Sequence, residues 1–151
     1  MNIYDKLKAQ GITLPPVATP AAAYVPFVQT GNLVFISGQI SADDNGLITG
    51  KLGDTTSLED GAAAARRCGL ALIAQLKAAI GNLDRVTRVV KLTGFVNSTP
   101  DFTDQPKVIN GCSDLMVEVF GEAGRHSRAA VSAPSLPFGV AVEIEAVFEV
   151  R

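Results

Sequence analysis

"HSRAAVSAPSLPFGVAVEIEAVFEV", residues His126–Val150, decides the fold. It consists of two apolar, extended runs, SRAAVSA and VAVEIEAVFEV, joined by a turn rich in proline and glycine. In the second run Val140, Val142, Ile144, Ala146, Phe148 and Val150 alternate with Ala141, Glu143, Glu145, Val147 and Glu149. Period two is the mark of a strand with one face on a core, so the all-apolar series belongs under helices. The two runs read as a closing hairpin that carries a guanidinium, Arg128, in one strand and a carboxylate, Glu143, in the other.

Upstream, QPKVINGCSDLMVEVFGEAG places Val108, Cys112, Leu115, Val119 and Phe120 on one helical face, and Gly121 stops it. Before it, RVTRVVKLTGFV (Arg85–Val96) is β-branched and extended, and NSTPDF ends that strand. Thr56 and Glu59 have capping-box spacing, and Leu58, Ala62, Ala65, Gly69, Leu72, Ile73, Leu76 and Ile80 then recur at steps of three and four. A helix of about 24 residues follows, closed by Gly81-Asn82, with small residues in its first half for close approach to a sheet. LVFISG (Leu33–Gly38) pairs through a TGN turn with AYVPFVQ (Ala23–Gln29), which Pro26 demotes to an edge or bulged strand. ADDNGLITGKLGDT between hairpin and helix is rich in turn residues.

The order is ββαβαββ. Right-handed crossovers would put both helices on one face of a mixed sheet, giving an α+β two-layer sandwich. Residues 23–151 read as a single domain. Residues 1–22 read as a short helix, IYDKLKAQ, stopped by Gly11, and a proline-rich arm.

Apolar residues make up 47% of the 151, charged residues 19%, and the mean hydropathy is +0.25. Such a chain hides apolar surface in an oligomer or carries little polar loop. The second face of the sheet, with no helix over it, is too apolar for a solvated surface and points to subunit contact. Thirteen basic against fifteen acidic residues gives a net charge of −2, so bulk charge does not hold a polyanion. No apolar run reaches the roughly 18 residues of a membrane span, and the N-terminus has no signal-peptide pattern, so a cytoplasmic location is expected. Cys68 and Cys112 are too few for a disulfide framework and read as buried thiols.

Arg128 offers the bidentate geometry that fits a carboxylate ligand, and it equally suits a cross-hairpin pair with Glu143 or Glu145. Glu143 is a general base if part-buried, or an outward surface carboxylate. His126 is the only histidine, either structural or at the mouth of a pocket. One histidine without a cysteine pair builds no usual zinc site, and no GxGxxG, P-loop, EF-hand or GxSxG spacing occurs, so no cofactor or metal is expected.

GNLVFISGQI, VVKLTGFVNSTPDF and SRAAVSAPSLPFGVAVEIEAVFEV resemble the three motif regions of the YjgF/RidA (reactive intermediate deaminase) family, also called L-PSP endoribonucleases. The resemblance runs from about Tyr24 to Val150. It implies a chorismate-mutase-like fold and a homotrimer whose sheets form a central barrel with three ligand clefts between subunits. It further implies hydrolysis of enamine/imine intermediates such as 2-aminoacrylate to 2-keto acids and ammonia. Arg128 then stands where the family grips a substrate carboxylate, and Glu143 where it positions or activates water. Tyr24 matches the cleft tyrosine, Ser37 and Gly38 the backbone lining the cleft, and Asn110 is the candidate for the cleft asparagine. His126 joins them as a substrate-binding candidate. The chain departs from the pattern at Ala130, where typical deaminases carry cysteine, and at DQPKV, which looks inserted; the longer N-terminal arm, NGCSDL and GEAGRHSR instead resemble a divergent branch of the family.

Two functions follow: an imine deaminase, or a small-acid-binding or interaction module without turnover on the same trimer. A ribonuclease needs a basic groove and a proton-transfer pair, whereas Arg66, Arg67, Arg85, Arg88, Arg125 and Arg128 are scattered and the histidine stands alone.

Overall fold

Alternation and helical periodicity generate ten elements in the computed structural model, which describes residues 2–17 and 22–151. In chain order they are α1 (Ile3–Ala9), β1 (Phe27–Thr30), β2 (Leu33–Ile40), β3 (Ala42–Asp43), β4 (Gly46–Leu47), α2 (Leu58–Ile80), β5 (Val86–Asn97), α3 (Gln105–Phe120), β6 (Ser127–Ala133) and β7 (Val142–Val150). The part of the expected arm at residue 1 and residues 18–21 lies outside the described residues.

Five strands form one mixed sheet in the order β1-β2-β7-β5-β6, while β3 and β4 make a separate two-residue ribbon. β1 takes the edge, starting just after Pro26, whose missing N–H unsuits it for a ladder. All pairs are antiparallel except β5 and β6, and parallel neighbours require a crossover, here supplied by α3. α2 lies over β2 and β7, α3 lies over β5 and β6, and the helices pack on each other. The chain is thus an α+β protein with two helices on one face of a mixed sheet.

The expected closing hairpin does not form. β5 runs between β6 and β7, pairing with both. The proline-rich connection passes over the end of β5 and is tied to it by Asn97, whose Nδ2 donates to Val140 O (3.1 Å). Lys51 Nζ holds the same spot, donating to Asn97 Oδ1 and to Pro134 O, both at 2.6 Å. Alternation fixes which face a residue takes, not which strand stands next to it, so this skip is invisible in the pattern.

Two local readings also shift. The α2 cap is Ser57 rather than Thr56: Ser57 Oγ accepts from Asp60 N (3.1 Å), and Gly81 closes the helix at φ +80°. The small residues serve helix–helix contact as well as the sheet, with Gly111 of α3 seated directly on the Ala62 carbonyl of α2.

Val140, Val142, Ile144, Ala146, Phe148 and Val150 are all buried, in a core shared with Leu72, Leu76, Leu92, Ile109 and Leu115. Ala141, expected outward, is buried too, because its N–H pairs with Ile48 O (3.0 Å) in the segment after β4. On the other face Val28, Phe35 and Val147 form a row that Lys91 continues, and Ile40, Glu143, Phe95 and Val131 form a second. Val28, Phe35 and Val131 are 53%, 43% and 44% exposed, an uncovered apolar face. Among the described residues no helix is long and apolar enough to cross a membrane.

Candidate functional site

Arg128 sits on β6, the edge strand, opposite Leu92 of β5. Paired residues share a face, and Leu92 is fully buried under the helices, so the guanidinium extends on the helix side of the sheet. There α3 supplies its acceptors. Nη1 donates to Asn110 Oδ1 (2.9 Å) and Ser113 Oγ (3.0 Å), and Nη2 donates to Pro106 O (3.3 Å). A guanidinium has five N–H groups. Among the described residues three are used, leaving Nε–H and one Nη2–H as donors for a carboxylate.

The expected alternative, an ion pair with Glu143 or Glu145, is excluded by the sheet order. Both carboxylates stand on β7, with β5 in between, and on the opposite face.

Ser113 was not marked in the sequence. It carries the site one step further, lying 2.9 Å from His126 Nε2, while His126 Nδ1 is 2.6 Å from Gly124 O. A carbonyl only accepts, so Nδ1 holds the proton and Nε2 accepts from the Ser113 hydroxyl. Burial holds the His126 pKa below its usual value against the opposing bond to Gly124, and the positive charges of Arg128 and Arg88 lower it further. His126 is therefore a neutral member of an Arg128–Ser113–His126 chain. The available signal was an i, i+3 polar pair, Asn110 and Ser113, beside the apolar face of an amphipathic helix.

Glu143 belongs to a second group on the uncovered face. It is half-buried between Ile40 and Phe95, where β2 bulges after Ile36. Its carboxylate rests on the Gly38 backbone so closely that a Cβ there would stand 2.5 Å from Oε2. Desolvation, and next the like charge of Glu145, raise the Glu143 pKa above the ordinary carboxylate value. Ser37 ties in the preceding segment: its N–H donates to Pro26 O (2.9 Å) and its Oγ to Val25 O (2.8 Å). This leaves Tyr24, 59% exposed, beside that anchored turn.

The expected residues thus fall into two clusters. Arg128, Asn110 and His126 stand at the β6 edge, while Tyr24, Ser37, Gly38 and Glu143 gather on the β1–β2–β7 side. The two thiols join neither as reactive groups. Burial pushes Cys112 up to about 12 and Cys68 well above its ordinary value.

Residues 4–148 match a family model described as YjgF/chorismate mutase-like, putative endoribonuclease. The chain is 51% identical to Protein TCP17 of Trypanosoma cruzi, over 99% of this chain and 95% of that protein. A crystal structure of a protein of unknown function from Agrobacterium tumefaciens is 44% identical, with a TM-score of 0.90 over 99% of this chain and 94% of its own. The Escherichia coli protein TdcF, crystallised with bound serine, is 27% identical, with a TM-score of 0.62 over 89% and 93% of the two chains. With its model matched along nearly the whole length and the mixed sheet under two helices in place, the chain belongs to the YjgF/RidA family.

Proposed function

We propose that the chain is an enamine/imine deaminase that hydrolyses 2-aminoacrylate-type intermediates to 2-keto acids and ammonia, working in the cytoplasm as a homotrimer. The observation that carries this reading is the Arg128 guanidinium, held by three acceptors with two of its N–H donors left over. An α-imino acid has its carboxylate next to the reacting carbon, so fixing the former aims the latter. The serine bound to TdcF has the same carboxylate arrangement.

The second group comes from Glu143. Its raised pKa suits a base that takes a proton from water as the oxygen adds to the imine carbon. Returned to nitrogen, that proton completes the carbinolamine, and transfer of the hydroxyl proton to the same nitrogen then breaks the carbon–nitrogen bond, releasing ammonia and the keto acid. Because the sheet separates Glu143 from Arg128 within one chain, the reading requires the β6 edge of one subunit to meet the Gly38–Glu143 face of the next. The exposed Val28, Phe35 and Val131 supply apolar area for that contact.

A second reading, a trimer that binds small acids without turnover, is favoured by Ala130 at the position where family deaminases carry cysteine. Ribonuclease chemistry is disfavoured by the engagement of both nitrogens of His126. The deciding experiment follows ammonia and keto-acid release from imines generated in situ by an amino-acid oxidase, for wild type and Arg128→Ala. Acceleration that vanishes in the variant supports the deaminase. No acceleration by a folded trimer that still binds pyruvate moves the assignment to the binding module.

A further inference from the structure

The acceptors around Arg128 are not equivalent. Asn110 Oδ1 and Pro106 O are permanent acceptors, but a serine hydroxyl rotates and is as ready to donate as to accept. Facing a guanidinium, which only donates, Ser113 is useful when its own proton is drawn elsewhere. His126 Nε2 draws it, at 2.9 Å, and the Gly124 carbonyl at 2.6 Å from Nδ1 sets the tautomer in which Nε2 is the acceptor. Gly124 is itself fully packed, since a Cβ there would meet the Met116 carbonyl, so the anchor of the chain is fixed backbone.

We infer that Ser113 and His126 are positioning residues for carboxylate recognition, a polarised chain Gly124 O···His126···Ser113 that holds the Arg128 guanidinium with its Nε/Nη2 edge outward. The inference rests on the reading that Arg128 grips the ligand carboxylate. A free arginine loses rotamer freedom on binding, and this chain removes that loss beforehand. In this role His126 acts through Ser113 and Arg128 rather than by touching the ligand, a different place from the substrate-binding one that the resemblance suggests. The same chain gives the GRHSR stretch a purpose: it puts histidine just ahead of β6, two residues before the arginine, where both side chains reach Ser113.

Two measurements test this. The protein has one histidine, so the ring nitrogens of His126 are observed directly by 15N NMR. The Nδ1-protonated tautomer is expected, and an Nε2-protonated ring overturns the chain. Next, L-serine and pyruvate are titrated calorimetrically into wild type, Arg128→Ala, Ser113→Ala, His126→Asn and His126→Gln, each checked for its oligomeric state and melting temperature.

Loss of one hydrogen bond from the chain should weaken binding about five- to tenfold in Ser113→Ala and His126→Asn. In His126→Gln, where an amide oxygen reaches the Nε2 position, binding should return to within about twofold of wild type. For imine turnover Ser113→Ala and His126→Asn should raise KM in the same proportion while kcat changes little. If Arg128→Ala binds both probes as wild type does, the carboxylate-grip reading fails and the inference with it. If Arg128→Ala loses binding while Ser113→Ala and His126→Asn keep wild-type affinity, that reading stands and the positioning chain alone is overturned.

Discussion

Arg128 and Glu143 project from opposite faces of one sheet, with β5 between their strands. No side-chain rotation brings the two groups to one small ligand within a single chain. A deaminase using both must therefore assemble its site across a subunit boundary.

Subunit complementation tests this directly. Arg128→Ala and Glu143→Gln homotrimers should each be inactive. When the two are unfolded together and refolded at equal concentration, about a quarter of the sites should pair an intact Arg128 with an intact Glu143 of a neighbour, and activity should recover in proportion. An intramolecular site would give no recovery.

The Glu143 pKa is raised, so its working carboxylate form is lost at a higher pH than for an exposed glutamate. The acid limb of kcat/KM should fall above the ordinary glutamate range and disappear in Glu143→Gln along with most of the rate. Stability should run the other way. The folded chain holds this proton more tightly than the unfolded chain does, a contribution present in full below the unfolded value of 4.5 and lost as pH rises through the folded value. Wild type should accordingly match Glu143→Gln best in acid and fall behind it as the carboxylate ionises, measured by urea unfolding at a series of pH values.

Legibility followed the physics of each signal. The face of β7 was readable residue by residue because burial imposes a period, and Val142 to Val150 alternate as the apolar pattern requires; on α3 the five residues of the expected face are buried, and Ile109 and Met116 widen it. The neighbour of β6 was not readable, because a parallel pair made through a helix and an antiparallel pair made through a turn leave the same apolar strand. Arg128, Asn110 and His126 were singled out separately. Asn110 meets Arg128 directly, and what joins Arg128 to His126 is Ser113, whose meaning arises only when β6 docks beside α3. The shift of the cap from Thr56 to Ser57 has a similar origin: Thr56 N instead donates to Lys51 O (3.0 Å) in a turn that the spacing of cap residues does not reveal.

Gly38 is a second handle on Glu143. A methyl group there would stand 2.5 Å from Oε2, so Gly38→Ala must push the carboxylate off its seat. Turnover should fall at least tenfold with KM for the imine little changed, since Arg128 is untouched. In a Glu143→Ala background, where the space is empty, the same substitution should have no further effect on rate or melting temperature. A further loss there would place the strain in the β2 backbone and not in the carboxylate.

The N-terminal helix is joined to the domain by specific bonds rather than appended to it. Asn2 caps α1 through Asp5 N (2.9 Å), Ile3 N donates to Asp84 Oδ1 (2.9 Å), and Leu83 N donates to the Tyr4 hydroxyl (3.0 Å). Leu7 is buried in the core, and Lys77 Nζ lies 5.5 Å from the Tyr4 ring centroid. Tyr4→Phe keeps the ring and removes the acceptor of the Leu83 N–H, so it should cost about 1 kcal/mol. Tyr4→Ala also removes the packed ring and should cost about 2 kcal/mol or more. Both should lower the urea midpoint with an unchanged slope, as expected when α1 unfolds together with the rest. A separate early transition in either variant would show that residues 2–17 fold as their own unit, and the docking bonds would then be incidental to the stability of the sheet.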